Sequence, residues 1–101
     1  MKKHIRVYRV APLPDIDEGE FEAFVNEQVL PAVDMNPTRG GQLTDTSLLK
    51  EAGAERKDRY LWVVQWEGTS AQWVDLRLEE AVKKLDSVGM RVTEIYLTPL
   101  G

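Results

Sequence analysis

Apolar and polar positions alternate with a period of two in three stretches of this chain and recur at helical spacing in two others. The strongest strand signal lies in a further stretch, residues 59–68, Arg-Tyr-Leu-Trp-Val-Val-Gln-Trp-Glu-Gly, where β-branched and aromatic residues dominate and glycine marks the end. That composition predicts a strand. Its side chains fall into two rows, with Tyr60, Trp62, Val64 and Trp66 on one face and Leu61, Val63 and Gln65 on the other. A half-solvated sheet gives its strands one polar face, and this strand has none, so both of its sides need a cover.

The first strand is expected over residues 4–11, with Ile5 and Val7 on an aliphatic side and His4, Arg6, Tyr8 and Val10 on a polar-aromatic one. Pro12 and Pro14 end it by removing ladder donors. A helix then starts near Asp17, where Asp17 and Glu20 form a capping box and Glu18 adds charge that the helix dipole favours. Phe21, Phe24, Val25, Gln28, Val29, Ala32 and Val33 make one helical stripe, with Pro31 expected to kink or end the helix near Leu30. Residues 34–41 read as a loop and 42–50 as a weakly alternating edge strand. Residues 51–58, with Gly53, form a hairpin tip. A second helix begins at Thr69, where Thr69 and Gln72 match a capping box. Trp73, Val74, Leu78, Ala81, Val82 and Leu85 are its apolar side, and Asp75, Glu79, Glu80, Lys83 and Lys84 its solvated side. Gly89 is the expected helix stop, and residues 90–97 form the last strand.

The order β-α-β-β-α-β predicts a single α+β domain over residues 1–101, a ferredoxin-like antiparallel sheet with both helices on one face. The first and third strands are expected at its centre, with the fourth beside the first. The aliphatic row, Ile5, Val7, Leu61, Val63, Ile95 and Leu97, is expected under the helices. That leaves His4, Arg6, Tyr8, Tyr60, Trp62, Val64, Trp66, Glu94 and Tyr96 on the open face. Exposed tryptophans forfeit several kcal/mol of burial at ~25 cal/mol per Å², so that face is expected to be covered by a second copy of the chain. An Arg6–Glu94 pair across the first and fourth strands is expected within it.

Composition narrows the chemistry. Thirteen Lys and Arg against seventeen Asp and Glu give a net charge of −4, which disfavours nucleic acid and anionic membranes as partners. The absence of cysteine removes disulfides, thiolate metal sites and cysteine nucleophiles. With His4 as the only histidine and no carboxylates at ligand spacing, no metal is expected. Glycine-rich phosphate loops are also absent, and no cofactor is implied. No apolar run approaches the ~20 residues of a membrane-crossing helix. The N-terminus runs into a strand without an apolar signal core, so a cytoplasmic protein is expected.

Lys3-His4-Ile5-Arg6-Val7-Tyr8, the stretch from Tyr60 to Trp66 followed by Glu67, and the ending Tyr96-Leu97-Thr98-Pro99 together resemble the dimeric α/β-barrel superfamily, over the whole chain in element order. That superfamily includes antibiotic-biosynthesis-type monooxygenases, stress-responsive barrels and polyketide cyclases. The resemblance implies a homodimer that buries the outer sheet face, with a small aromatic or polyketide-like ligand in a cleft beside the sheet. A first-strand histidine that works with a tyrosine of the second helix in the cyclases matches His4, but Asp75 and Leu76 stand roughly where that tyrosine would fall. Two readings follow. In the first, the protein is a cofactor-independent enzyme with His4 as base, Arg6 and Tyr8 orienting substrate, and Tyr60, Trp62, Trp66, Glu94 and Tyr96 lining the ligand. In the second, it is a non-catalytic dimeric binding or interaction module in which the same side chains pack an interface.

Overall fold

Strand pairing follows the alternation. In the computed structural model, which describes residues 2–53, 55–69 and 72–100, the order is β1 (Lys2–Pro12), α1 (Glu18–Phe24), β2 (Gly41–Lys50), β3 (Tyr60–Gly68), α2 (Gln72–Asp86) and β4 (Gly89–Leu97). The four strands form one open antiparallel sheet in the order β2-β3-β1-β4, an α+β arrangement compatible with a ferredoxin-like fold. β1 and β3 are central. Their register sets His4 opposite Trp66, Tyr8 opposite Trp62 and Val10 opposite Tyr60.

Local signals act where the residue pattern places them. Asp17 caps α1 by accepting a hydrogen bond from the Glu20 backbone N–H at 3.1 Å. Pro31 has no N–H to give the Glu27 carbonyl. One turn before it the helix widens into a π-helical turn, Val25–Val29, and it then ends in a 3-10 turn, Leu30–Ala32. Phe21, Val25, Val29 and Val33 are buried, whereas Gln28, expected in the same stripe, is exposed. The cap between Thr69 and Gln72 spans Ser70 and Ala71, which lie outside the described residues. Gly89 acts otherwise than expected. Among the described residues only Gly41 and Gly53 have positive φ, and α2 ends through short bonds from Ser87 N to Lys84 O and Val88 N to Leu85 O. Gly89 opens β4, where an added Cβ would stand 2.8 Å from Phe21 Cε1. Close approach, not backbone handedness, selects glycine there.

The main correction concerns which face the helices take. The even-numbered row is the covered one: Tyr8, Val10, Tyr60, Trp62, Val64 and Trp66 are each at most 4% exposed and pack in one core with Phe21, Val25, Val29, Val74, Leu78, Ala81 and Leu85. The aliphatic row on β1, β3 and β4 has no helix over it, and Ile95 and Leu97 are 41% and 48% exposed. Two features of the aromatic row explain the choice. Wide rings gain most from full burial, since a Tyr or Trp removes ~150–250 Å² from water. Two of their polar atoms also find partners on that side, Trp62 Nε1 donating to Thr46 Oγ1 at 2.8 Å and the Tyr60 hydroxyl to Glu22 Oε2 at 2.9 Å, while Trp66 Nε1 is buried without one. The aliphatic row carries Arg9 and Gln65, which burial would have left in need of partners. Trp73, at the start of α2, seats against Gly40, Gly41 and Gly68, where any Cβ would come within 3 Å of its indole.

Trp62 is therefore a core residue of the protomer. Trp62→Ala is expected to cost about 3–5 kcal/mol, a large part of the ~5–15 kcal/mol that holds a domain folded. Urea unfolding at two protein concentrations checks this. A variant with normal protomer stability and only weaker self-association would place Trp62 in an interface instead.

Candidate functional site

The helices cover β1 and β3 but leave β4 bare. Every residue of β4 after Gly89 is exposed, including Arg91, Glu94 and Tyr96, which face the helix side of the sheet. Between α2 and β4 this leaves a groove of two adjoining hollows, about 570 and 300 Å³, both lined by Tyr8 and Arg91. Asp75, Glu79, Val82 and Lys83 form its α2 wall. Volumes of this order suit a small organic ligand.

Arg6 lies behind Tyr8 and Asp75, two side chains that line the groove. It is 1% exposed, the only buried charged side chain among the described residues. Its Nη1 donates to Asp75 Oδ1 at 2.6 Å and to the Tyr8 hydroxyl oxygen at 2.9 Å. Its Nε lies 3.4 Å from Glu94 Oε1, outside hydrogen-bond geometry. The guanidinium also sits 5.5 Å from the Trp66 ring centre and 5.0 Å from that of Tyr96. Burial opposes its charge, but the hydrogen bonds and charges of Asp75 and Tyr8 outweigh that, and its pKa stands above the ordinary arginine value. Glu94 in turn accepts from the Tyr96 hydroxyl at 2.8 Å.

Tyr8 occupies the middle of the floor. It is 4% exposed, its ring stacks on Trp62 at 5.0 Å, and the Arg91 guanidinium lies 5.8 Å from its centre. Burial pushes the pKa of its hydroxyl up, only partly offset by Arg6. The oxygen accepts from Arg6, and among the described residues the hydroxyl donates no hydrogen bond, although the carboxylates of Glu94 and Asp75 are near enough to act on it.

The residues singled out from the sequence divide into three groups. Arg6, Tyr8, Glu94 and Tyr96 come together, with Trp66 against the guanidinium and Trp62 beneath Tyr8. Tyr60 stands apart, bonded to Glu22 at the α1 side. His4 stacks on Trp66 at 5.3 Å and donates from Nε2 to the Gly68 carbonyl at 3.1 Å. It lines a separate hollow of about 190 Å³ with Thr44, Gln65 and Pro99 and does not line the groove. Asp75 and Arg91 complete the site and were not among the candidates. Asp75 is hidden in sequence among the helix's solvated charges, although an arginine on a buried row needs an anion from the element above it. Among the described residues no three His, Cys, Asp or Glu side chains group so as to hold a metal, and no helix is long and apolar enough to cross a membrane. No protein-family model matches the chain, and no curated protein matches it.

All three tyrosines resist ionisation: Tyr8 through burial, Tyr60 through burial and its bond to Glu22, Tyr96 through its bond to Glu94 and burial. A pKa raised in the folded state gives stability that is complete below the unfolded value of about 10 and is lost as pH rises through the folded values. Phenolate absorbance at 295 nm is therefore expected to rise at higher pH in the native protein than in the urea-unfolded chain. A tyrosine ionising at its ordinary value in folded protein would contradict this.

Proposed function

We propose that this protein is a homodimeric small-molecule-binding protein of the dimeric α/β-barrel type, taking an aromatic or polyketide-like compound in the groove between α2 and β4. One observation carries the ligand site: Tyr8, Asp75 and Glu94, which gather round the buried Arg6, line an otherwise uncovered groove, with Tyr8 and Arg91 common to both hollows. A surface without a role in binding would not need a buried guanidinium, because aliphatic residues of similar volume serve packing as well or better.

The dimer part of the proposal rests on the aliphatic face. Ile5, Val7, Leu61, Val63, Ile95 and Leu97 share the side of the sheet opposite the helices, and Leu49 extends the row onto β2 at 52% exposure. A contiguous apolar sheet face of this kind marks an association surface, and a two-fold partner supplies the same row in return. The seam thus lies on the face opposite the one expected from sequence. The proposal is binding, without an assigned reaction: His4 is directed at Gly68 and lies outside the groove, and Tyr8 holds its proton.

Sedimentation is expected to show a dimer for the native protein. Ile95→Asp, which sets a charge in the seam without touching the helix side, should give a folded monomer by sedimentation and circular dichroism. In amide-shift titrations with 1-naphthol, residues 75–83 and 89–94 are expected to move. A monomeric native protein would remove the dimer, and shifts confined to other regions would remove the groove.

A further inference from the structure

We propose that the groove recognises an uncharged compound through a carbonyl oxygen that accepts the Tyr8 hydroxyl proton, and that it rejects carboxylates. This rests on the reading of the groove as the ligand site and adds the chemical class of its occupant.

The first observation is the direction of the hydrogen bonds. Arg6 Nη1 donates to the Tyr8 oxygen at 2.9 Å, which commits that oxygen as acceptor and leaves the phenolic proton without a partner among the described residues. Tyr8 borders both hollows. A donor that is 4% exposed and has no acceptor calls for one from outside. The cation behind it makes it a better donor, since a hydroxyl that accepts from a charged group is polarised along the chain of bonds. Arg6 is here a positioning residue, and Tyr8 is the group that touches the ligand.

The second observation is charge. The carboxylates at the groove are Asp75, Glu79, Asp86 and Glu94; the cations that line it are Lys83 and Arg91, with Arg6 behind Asp75 and Tyr8. Each cation has a carboxylate beside it: Lys83 has Glu79 at 3.5 Å and Glu80 at 3.9 Å, Arg91 has Asp86 at 3.1 Å, and Arg6 has Asp75 at 2.6 Å and Glu94 at 3.4 Å, its Nε buried without a hydrogen bond. A ligand carboxylate would have to displace one of these partners and then stand beside it, whereas a carbonyl oxygen needs only the vacant donor. Like-charge proximity of this kind disfavours the anion.

Three probes with one ring system test this by amide-shift titration of the full chain: 1-acetonaphthone, 1-naphthoate and 1-ethylnaphthalene. The ketone is expected to bind the groove about tenfold or more tightly than the carboxylate, and Tyr8→Phe should weaken the ketone by about five- to tenfold without changing the hydrocarbon. The ketone's carbonyl ¹³C resonance should shift downfield on binding the native protein, as a hydrogen-bonded carbonyl does, and this readout stands even if the variant does not fold. Naphthoate binding as tightly as the ketone, or a carbonyl resonance unmoved in the bound ketone, overturns the proposal. Ketone binding in the groove that ignores Tyr8→Phe also overturns it while leaving the groove a ligand site. If none of the three probes shifts the groove, the proposal and the reading beneath it fall together.

Discussion

A single buried cation organises this protein. Arg6 lies on the central strand, under α2, with almost no contact with water, and an isolated guanidinium in that position would cost several kcal/mol. It is held because three elements supply what it needs: α2 gives Asp75, β1 itself gives the Tyr8 oxygen, and β4 brings Glu94 and the ring of Tyr96. The same contacts fix where α2 crosses the sheet and how Tyr8 is aimed. Fold and candidate site thus share one interaction.

The bareness of β4 has two consequences. On the helix side it leaves a groove lined by Tyr8, with Arg6 bonded behind it. On the other side it lengthens an aliphatic row that no element of the protomer covers. The strands alternate, so Glu94 and Tyr96 share the helix side with Arg6 and Tyr8, whereas Ile95 and Leu97 lie on the open face. The proposed ligand groove and the proposed association surface therefore fall on opposite faces of one sheet, and a substitution on either face can be designed to leave the other intact.

Much of this could be read in the residues, and what could not has a physical reason. The Asp17 cap and the disturbance at Pro31 follow from short-range chemistry, and the Arg6–Glu94 proximity follows from the element order, which sets the fourth strand beside the first. The division of residues 60–66 into two rows follows from the strand period. Which row the helices cover does not, because alternation defines two faces without assigning their covers. That choice depended on ring area and on polar partners such as Thr46 and Glu22, which lie 16 and 38 positions away from the residues they bond. Asp75 was obscured for a related reason. Its side chain is 67% exposed, so by composition it belongs to the solvated side of α2, and only the crossing of α2 over β1 turns it toward Arg6. Gly89 looked like a helix stop because glycine often serves there, but it is selected by the edge of Phe21.

The most direct measurement is a double-mutant cycle on Arg6 and Asp75, read by urea unfolding. If the Asp75 bond holds the buried guanidinium, Asp75→Ala alone will destabilise the protein by about 1–3 kcal/mol and will have almost no effect once Arg6 is replaced by methionine, a coupling as large as the single effect. Effects of the two substitutions that simply add would contradict the account, because Arg6 would then not depend on Asp75 for its place in the core.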